Sequence, residues 1–275
     1  MLPDVSHKRV LFVGERIKDV YHYGRLIGRP PKEPIICIEQ TGSESYEGGV
    51  IAASEHAKSF VGSIEVFSTK ELVKERFVES NRYRKLFEVY SGHREIEAQF
   101  PDVSSFDAVV VTDYGHGMMT SEIVERVCSE AKFLAVNVQT NSGNFGFNLA
   151  TKYPRVDYLC VDEIEARLAT QNPFDSIEES LLDLSIDISP KVVITLGRNG
   201  AVGFNGTTHR AQAFAGQVVD TMGAGDAFFA VTACMANELD IPDLLRIGNA
   251  AGALKKQNLG QKPVNKNDLI HLLAH

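Results

Sequence analysis

The sequence has no long apolar run, few cysteines and no excess of basic residues, and each absence closes off a class of function. The apolar run around Val10 to Val13 is shorter than the roughly 7–15 residues of a secretory core or the about 20 of a membrane helix. The chain therefore reads as cytoplasmic, with no membrane partner. Its four cysteines, Cys37, Cys128, Cys160 and Cys234, are far apart and form no C-x-x-C pair, as suits a reduced compartment without structural zinc. A formal net charge of -8 argues against a nucleic-acid partner held by phosphate neutralisation. No G-x-x-x-x-G-K-[ST] occurs, which excludes a P-loop nucleotidase, and the glycine loop, HRD and DFG of protein kinases are missing. "GHGMMT" lacks the third glycine of a dinucleotide fingerprint. There is no HExxH, and the eight histidines are scattered.

What is present has a clear rhythm. "RVLFVG", "FDAVVVTDYG", "KFLAVNVQ", "VDYLCVD" and "PKVVITLGRNG" are short apolar runs bounded by turn residues, the pattern of buried strands. "TSEIVERVCSEA", capped by Thr120, and "EIEARLATQ" read as helices between them. Alternating strands and helices predict a mostly parallel sheet covered on both faces, with ligands outside the carboxyl ends of the strands. Asp113, Asn137, Asp162 and Thr195 fall at or near such ends. "PKEPIICIEQ" and "KERFVESNRYRKLFEVYSG" instead alternate like an exposed antiparallel sheet set apart from the main layer. The last third reads as three helices, with Ala227, Val231, Cys234 and Met235 on a core face and Met222, Phe228 and Phe229 as packing.

One stretch carries chemistry. In "VVDTMGAGDAFFA" the glycines at 223 and 225 permit a tight turn and close backbone approach, just where an apolar helix begins. Unpaired amides and the helix dipole there favour an anion. Asp226, in that first turn, is expected to be ionised at neutral pH. A base beside an anion hole suits the transfer of a γ-phosphoryl group to a substrate hydroxyl.

"DTMGAGDAF" resembles the C-terminal signature of the ribokinase-like (PfkB) carbohydrate kinases. "YEGGVIAAS", "CVDEIEARL", "VVITLGRNGAVGF" and "NAAGALKKQNLG" resemble further segments of that family in the same order, so the likeness covers nearly the whole chain. "DVYHYGRLIGRPPKEPIICIE" and "TDYGHG" resemble the kinase domain that phosphorylates heptose 7-phosphate at C1. The resemblance implies a three-layer α/β/α sandwich with a small antiparallel β lid, as a single domain over 1–275 with lid strands from about 17–40 and 75–91. It implies ATP and Mg²⁺ as cofactors and a sugar or sugar-phosphate substrate. It further implies a homodimer through the lid and fusion or association with a nucleotidyltransferase. Asp226 matches the catalytic base, and Gly223, Ala224 and Gly225 the anion hole. Thr195, Gly197, Gly200, Asp220 and Asn249 match nucleotide positions, Asp220 being equally suited to cap its turn. Asp19, Gly48 and Gly49 match sugar contacts, and Glu165 with Asp162 matches the carboxylates that organise Mg²⁺.

The departures lie on the sugar side. Ala52 stands where the family has a sugar-binding asparagine, Glu15 replaces an aspartate, His116 a lysine and Asn137 an aspartate. About one βα unit is missing after Val61. These changes leave two other readings open: a non-catalytic ligand-binding or regulatory domain, and a kinase for a nucleoside or another small alcohol.

Overall fold

The computed structural model describes residues 2–82, 84–92, 95–96, 99–258 and 262–274. The first half holds β1 (Arg9–Gly14), β2 (Arg16–Gly28), β3 (Cys37–Gly48), α1 (Gly49–Ala57), β4 (Ser63–Ser68), β5 (Leu72–Glu79) and β6 (Arg84–Gly92). β7 (Ala108–Asp113), α2 (Ser121–Glu130), β8 (Leu134–Val138), β9 (Tyr158–Asp162), α3 (Glu163–Thr170) and α4 (Ile177–Asp187) follow. The chain ends with β10 (Val192–Thr195), β11 (Ala201–Phe204), β12 (Thr208–Ala211), α5 (Ala224–Ala233), α6 (Ile241–Lys256) and α7 (Lys266–Ala274).

The main sheet has eight strands in the order β12-β11-β10-β9-β8-β7-β1-β4. Its pairs are parallel from β4 through to β10, and β11 and β12 close it antiparallel. Successive side chains on a strand point to opposite faces, so the continuous apolar runs split between two cores. Val10, Phe12, Ala108, Val110, Ala135, Tyr158 and Cys160 pack with α1, α5, α6 and α7. Their neighbours Leu11, Val13, Val109, Val111, Leu134, Val136 and Leu159 pack with α2, α3 and α4. The expected parallel sandwich is therefore the architecture observed. Thr120 caps α2 as expected, its hydroxyl accepting the Ile123 N–H at 3.4 Å.

The chain leaves this sheet twice to build the lid, a four-stranded sheet in the order β3-β2-β5-β6. Its outer pairs are antiparallel, as expected, while β2 and β5 at its centre run parallel. The lid strands reach beyond the expected 17–40, because β3 continues to Gly48 and passes directly into α1. Only residues 69–71 separate β4 from β5, with no helix between them. β4 therefore ends the main sheet, and strand order reverses between β1 and β7, where crevices open in such sheets.

The buried face of α1 carries a histidine. His56 is buried, its Nδ1 accepts the Val264 N–H at 3.1 Å, and burial pushes its pKa down to about 4. The unfolded chain protonates this ring near its ordinary value and the folded chain resists. The associated stability is present above about pH 6.5 and is lost as pH falls toward 4. A His56→Asn variant, which keeps an acceptor for Val264, should lose about 3 kcal/mol less stability than wild type over that interval. Denaturant unfolding at pH 7 and pH 4 measures the difference, and equal slopes for the two proteins would refute it.

Candidate active site

The site is organised by the start of α5. Asp220 accepts the Met222 N–H at 3.0 Å and shapes the turn that leads in, so of its two expected roles the structure shows the capping one. Gly223 then adopts φ 73°, in the left-handed region, and caps α5. Its carbonyl accepts the Ala227 N–H at 2.9 Å. The Ala224 N–H turns back to the Thr221 carbonyl at 3.4 Å. The first-turn amides of Gly225 and Asp226 have no helical carbonyl to bond and are the donors best placed for an anion.

Asp226 is held from the side. Gln139 donates to its Oδ1 at 2.6 Å and the Tyr114 hydroxyl donates at 3.3 Å. Gln139 is itself fixed by Asn137 Oδ1 at 3.1 Å, and Asn137 donates to the Cys160 carbonyl at 2.8 Å. Asn137, at the end of β8, thus sets the side chain that sets Asp226. The expectation that the helix start holds this carboxyl low does not survive. Burial raises its pKa, and the Gln139 and Tyr114 hydrogen bonds only partly oppose the rise. A desolvated carboxylate is a stronger proton acceptor than an exposed one, which suits a general base.

Tyr114 owes its place to Glu15. This buried carboxylate accepts the N–H groups of Tyr114 at 3.1 Å, His116 at 2.9 Å and Met118 at 3.3 Å. Asp113 braces the same loop from below, accepting from Gly115 N–H at 3.1 Å, the Tyr153 hydroxyl at 2.8 Å and Lys152 at 2.5 Å. Glu15, read from sequence as standing in for an aspartate at a strand end, is the scaffold of a loop.

Two cavities meet at the α5 start. The smaller, of about 210 Å³, is lined by Asp19, Gly49, Tyr114, His116, Met222, Gly223 and Asp226, with Lys74 and Arg76 from β5. Asp19 pairs with Arg76, which also holds Glu88 at 3.0 Å. Lys74 reaches Glu88 at 3.3 Å. Gly48 is not on the wall; it lies behind Asp19, where a Cβ would meet the carboxylate at 2.6 Å. Met222, expected as packing, stands on the wall and takes the Tyr21 hydroxyl at 2.6 Å. Ala52 is buried in α1 away from the cavity.

The larger cavity, of about 560 Å³, brings together Thr195, Gly197, Gly200, Asn249, Ala224, Gly225 and Asp162. Phe214, Val218, Ile164 and Phe228 give it apolar walls, as a flat heteroaromatic base would require. Asp220 does not line it. Asp162 and Glu165 form a reciprocal cap on α3. Asp162 Oδ1 accepts the Glu165 N–H at 2.8 Å, and Glu165 returns the bond at 2.7 Å and also accepts the Thr140 N–H at 3.1 Å. Burial, then the neighbouring Asp162 charge, raises Glu165 to about 8. Among the described residues no three His, Cys, Asp or Glu converge on a common point. Asp162 lines the larger cavity, while Glu165 lies behind it, lining neither cavity and giving both oxygens to backbone N–H groups. Of the pair, Asp162 is the carboxylate presented to an ion that keeps most of its water, the habit of Mg²⁺.

Sequence reading missed Gln139, Tyr114, Lys74 and Arg76. The last two were legible in part, since residues two apart on β5 share a face. The partners of Gln139 and Tyr114 lie far along the chain and leave no local signal.

The description "pfkB family carbohydrate kinase" matches residues 78–267. The bifunctional protein HldE of Campylobacter jejuni is 31% identical over 181 residues, covering 64% of this chain and 39% of that protein. HldE of Bradyrhizobium diazoefficiens is 24% identical over 96% of this chain and 63% of its own length. The chain thus spans only 39% of the first of these relatives and 63% of the second. Among solved structures, Arabidopsis thaliana ribokinase complexed with ribose and ATP superposes with TM-score 0.73 at 18% identity, covering 98% of this chain and 99% of that one. Escherichia coli phosphofructokinase-2, as the Y23D mutant, gives TM-score 0.73 at 12% identity over 97% and 98%. At these identities the structures establish a shared fold.

Proposed function

The chain belongs to the pfkB family of carbohydrate kinases, and from that premise we propose that it transfers the γ-phosphoryl group of ATP to a hydroxyl of a sugar phosphate of heptose type. One observation carries the reading. The two cavities share the α5 start, with Asp226 on the wall of the smaller and the Ala224–Gly225 backbone on the wall of the larger. A hydroxyl in the first and a triphosphate in the second would meet there in line. Asp226 takes the hydroxyl proton, with Gln139 and Tyr114 fixing its carboxylate. The Gly225 and Asp226 amides receive charge on the transferring group. When bound, Mg²⁺ supplies neutralisation of the phosphate oxygens, and Asp162, with Glu165 behind it, is the residue that would hold it, through water. The lid shields the reaction from water as a competing acceptor.

Lys74 and Arg76 line the acceptor cavity, where Glu88 pairs with both and Asp19 with Arg76; an acceptor that already carries a phosphate would compete with these carboxylates for the two cations. Phosphorylated sugars should therefore stimulate ADP formation at least about tenfold more, in kcat/KM, than the same sugars unphosphorylated. A panel of heptose, hexose and pentose phosphates, free sugars and nucleosides checks this. ATP binding with no acceptor-dependent turnover would instead favour a regulatory domain, and preference for nucleosides would move the substrate class.

The lid also exposes Leu26, Ile27, Ile35 and Ile36 around the ends of β2 and β3, and Phe87 and Val89 on β6, apolar side chains that pairing of two lids would cover. We further propose that the chain works in fusion or association with a nucleotidyltransferase, as its resemblance to heptose kinases implies. No helix among the described residues is long and apolar enough to cross a membrane.

A further inference from the structure

Lys255 is a lysine in the core. It sits in the last turn of α6, 1% exposed, and its Nζ has no hydrogen-bond partner among the described residues. A buried ammonium without an acceptor is unfavourable, so something near it must compensate.

Its position on α6 says what. Residues three and four apart on a helix share a face, so Gly248, Gly252 and Lys255 form one seam. Gly248 lies against the Phe228 ring of α5, where a Cβ would come within 2.4 Å, and Gly252 faces the Ala224 carbonyl, 3.4 Å from such a Cβ. The seam therefore runs along α5 toward its start. The end of α6 is also tied to the segment entering α5, because the Lys256 carbonyl accepts the N–H groups of Val219 at 2.8 Å and Asp220 at 3.1 Å.

The groups that face this point come from several elements. Burial pushes the Lys255 pKa down, and the charges of Asp220 in the entering segment and Asp226 on α5 oppose that and favour the ammonium form. His56 approaches from α1; its Nδ1 is an acceptor and burial keeps the ring neutral, so it offers Lys255 no negative charge. Asp226 is faced in addition by Asp19 from β2, by Gln139 and Tyr114, and by Glu165 from α3. Arg76, the nearest cation of the lid, is already paired with Asp19 and Glu88.

We infer that Lys255 is a positioning residue for phosphoryl transfer: a fixed positive charge behind the α5 start, seated there to offset the carboxylates of Asp220 and Asp226 and the phosphoryl group that passes between the two cavities. The inference rests on the kinase reading of that site. It requires no hydrogen bond, only a charge held close in a medium of low polarity, where such charges act strongly. It also works against burial at Asp226, holding that carboxyl lower than it would otherwise lie.

The test is Lys255→Met, which keeps the stem and removes the charge. Its thermal midpoint should equal or exceed that of wild type, because an unpaired buried charge has gone. Its kcat at neutral pH should fall about tenfold or more, and the acid limb of kcat/KM should move up by about one pH unit. Ammonium or methylammonium added to Lys255→Ala should restore part of the rate, which a purely structural side chain would not allow. The Asp226 carboxyl, titrated by ¹³C NMR in both proteins, needs no turnover. A midpoint that rises in Lys255→Met supports the charge role even if no sugar is phosphorylated, in which case the kinase reading fails by itself. Wild-type turnover with an unchanged pH limb and an unchanged Asp226 midpoint in the variant would overturn the inference and leave the kinase reading intact.

Discussion

Replacing Asp226 with asparagine should lower kcat by about 10²–10⁴-fold and leave the protein at least as stable. The rate prediction follows from proton transfer. Asparagine keeps the shape and an acceptor for Gln139 and Tyr114, which bond Oδ1 in the wild type, but it cannot take a proton from a hydroxyl. The residual rate comes from positioning at the α5 start and from the anion-binding amides. The stability prediction follows from burial, which raises the Asp226 pKa. The folded state therefore resists the ionised form, and a neutral isostere removes that unfavourable term. Steady-state kinetics with the best acceptor of the panel, together with thermal unfolding, reads both halves. Full activity in Asp226→Asn would remove Asp226 from the role of base.

Gly49→Ala should destabilise the fold by several kcal/mol, whereas Gly225→Ala should cost almost nothing in stability and act on ATP. Gly49 has φ 59°, and an added Cβ would lie 2.2 Å from the Glu15 carbonyl and 3.0 Å from the Ile17 nitrogen. Both are backbone atoms, and Glu15 O is pinned by the Val50 N–H at 3.0 Å. The left-handed conformation alone costs roughly 1–2 kcal/mol for a residue with a Cβ, and backbone displacement adds about 1–3 kcal/mol. Glu15 would shift with its carbonyl, and with it the loop that presents Tyr114 to Asp226. At Gly225 a Cβ meets nothing within 4 Å, and the residue lines the larger cavity, where ATP is proposed to bind. On the proposed function, the methyl group there would occupy phosphate space and should weaken ATP affinity by about tenfold or more. Denaturant midpoints and ATP titrations of the two variants separate a structural glycine from a functional one. The reverse pattern would show the assignments exchanged.

The sequence by itself determined the layer architecture and the turn at which the reaction is proposed to occur. Apolar runs such as 109–111 and 134–136 are buried on both faces because a parallel sheet between two helical layers leaves no exposed face, and that pattern is local in the chain. The turn at 220–226 was legible for the same reason: capping, glycine conformation and the first-turn carboxylate all fall within a few residues of one another. Gly49, Thr195, Gly197, Gly200 and Asn249 could be named in advance because their segments resemble motifs of the family, and each lines one of the two cavities.

Only the tertiary structure decided the surroundings of those residues. It placed Gln139 and Tyr114 on Asp226 across 87 and 112 residues of sequence, and it gave Glu15, which the sequence showed only as a replacement for an aspartate, the role of a loop scaffold. It carried Lys74 and Arg76 from the lid into the acceptor cavity and buried Lys255 behind the base. It also reversed the expected direction of the Asp226 pKa. A helix start is a local feature, but desolvation depends on everything packed around a group, and those neighbours come from β8, the loop after β7, the lid and α6. Propensity and spacing act over a few residues and are written in order along the chain; charge and solvent exclusion are set by distance in space, which order alone does not encode.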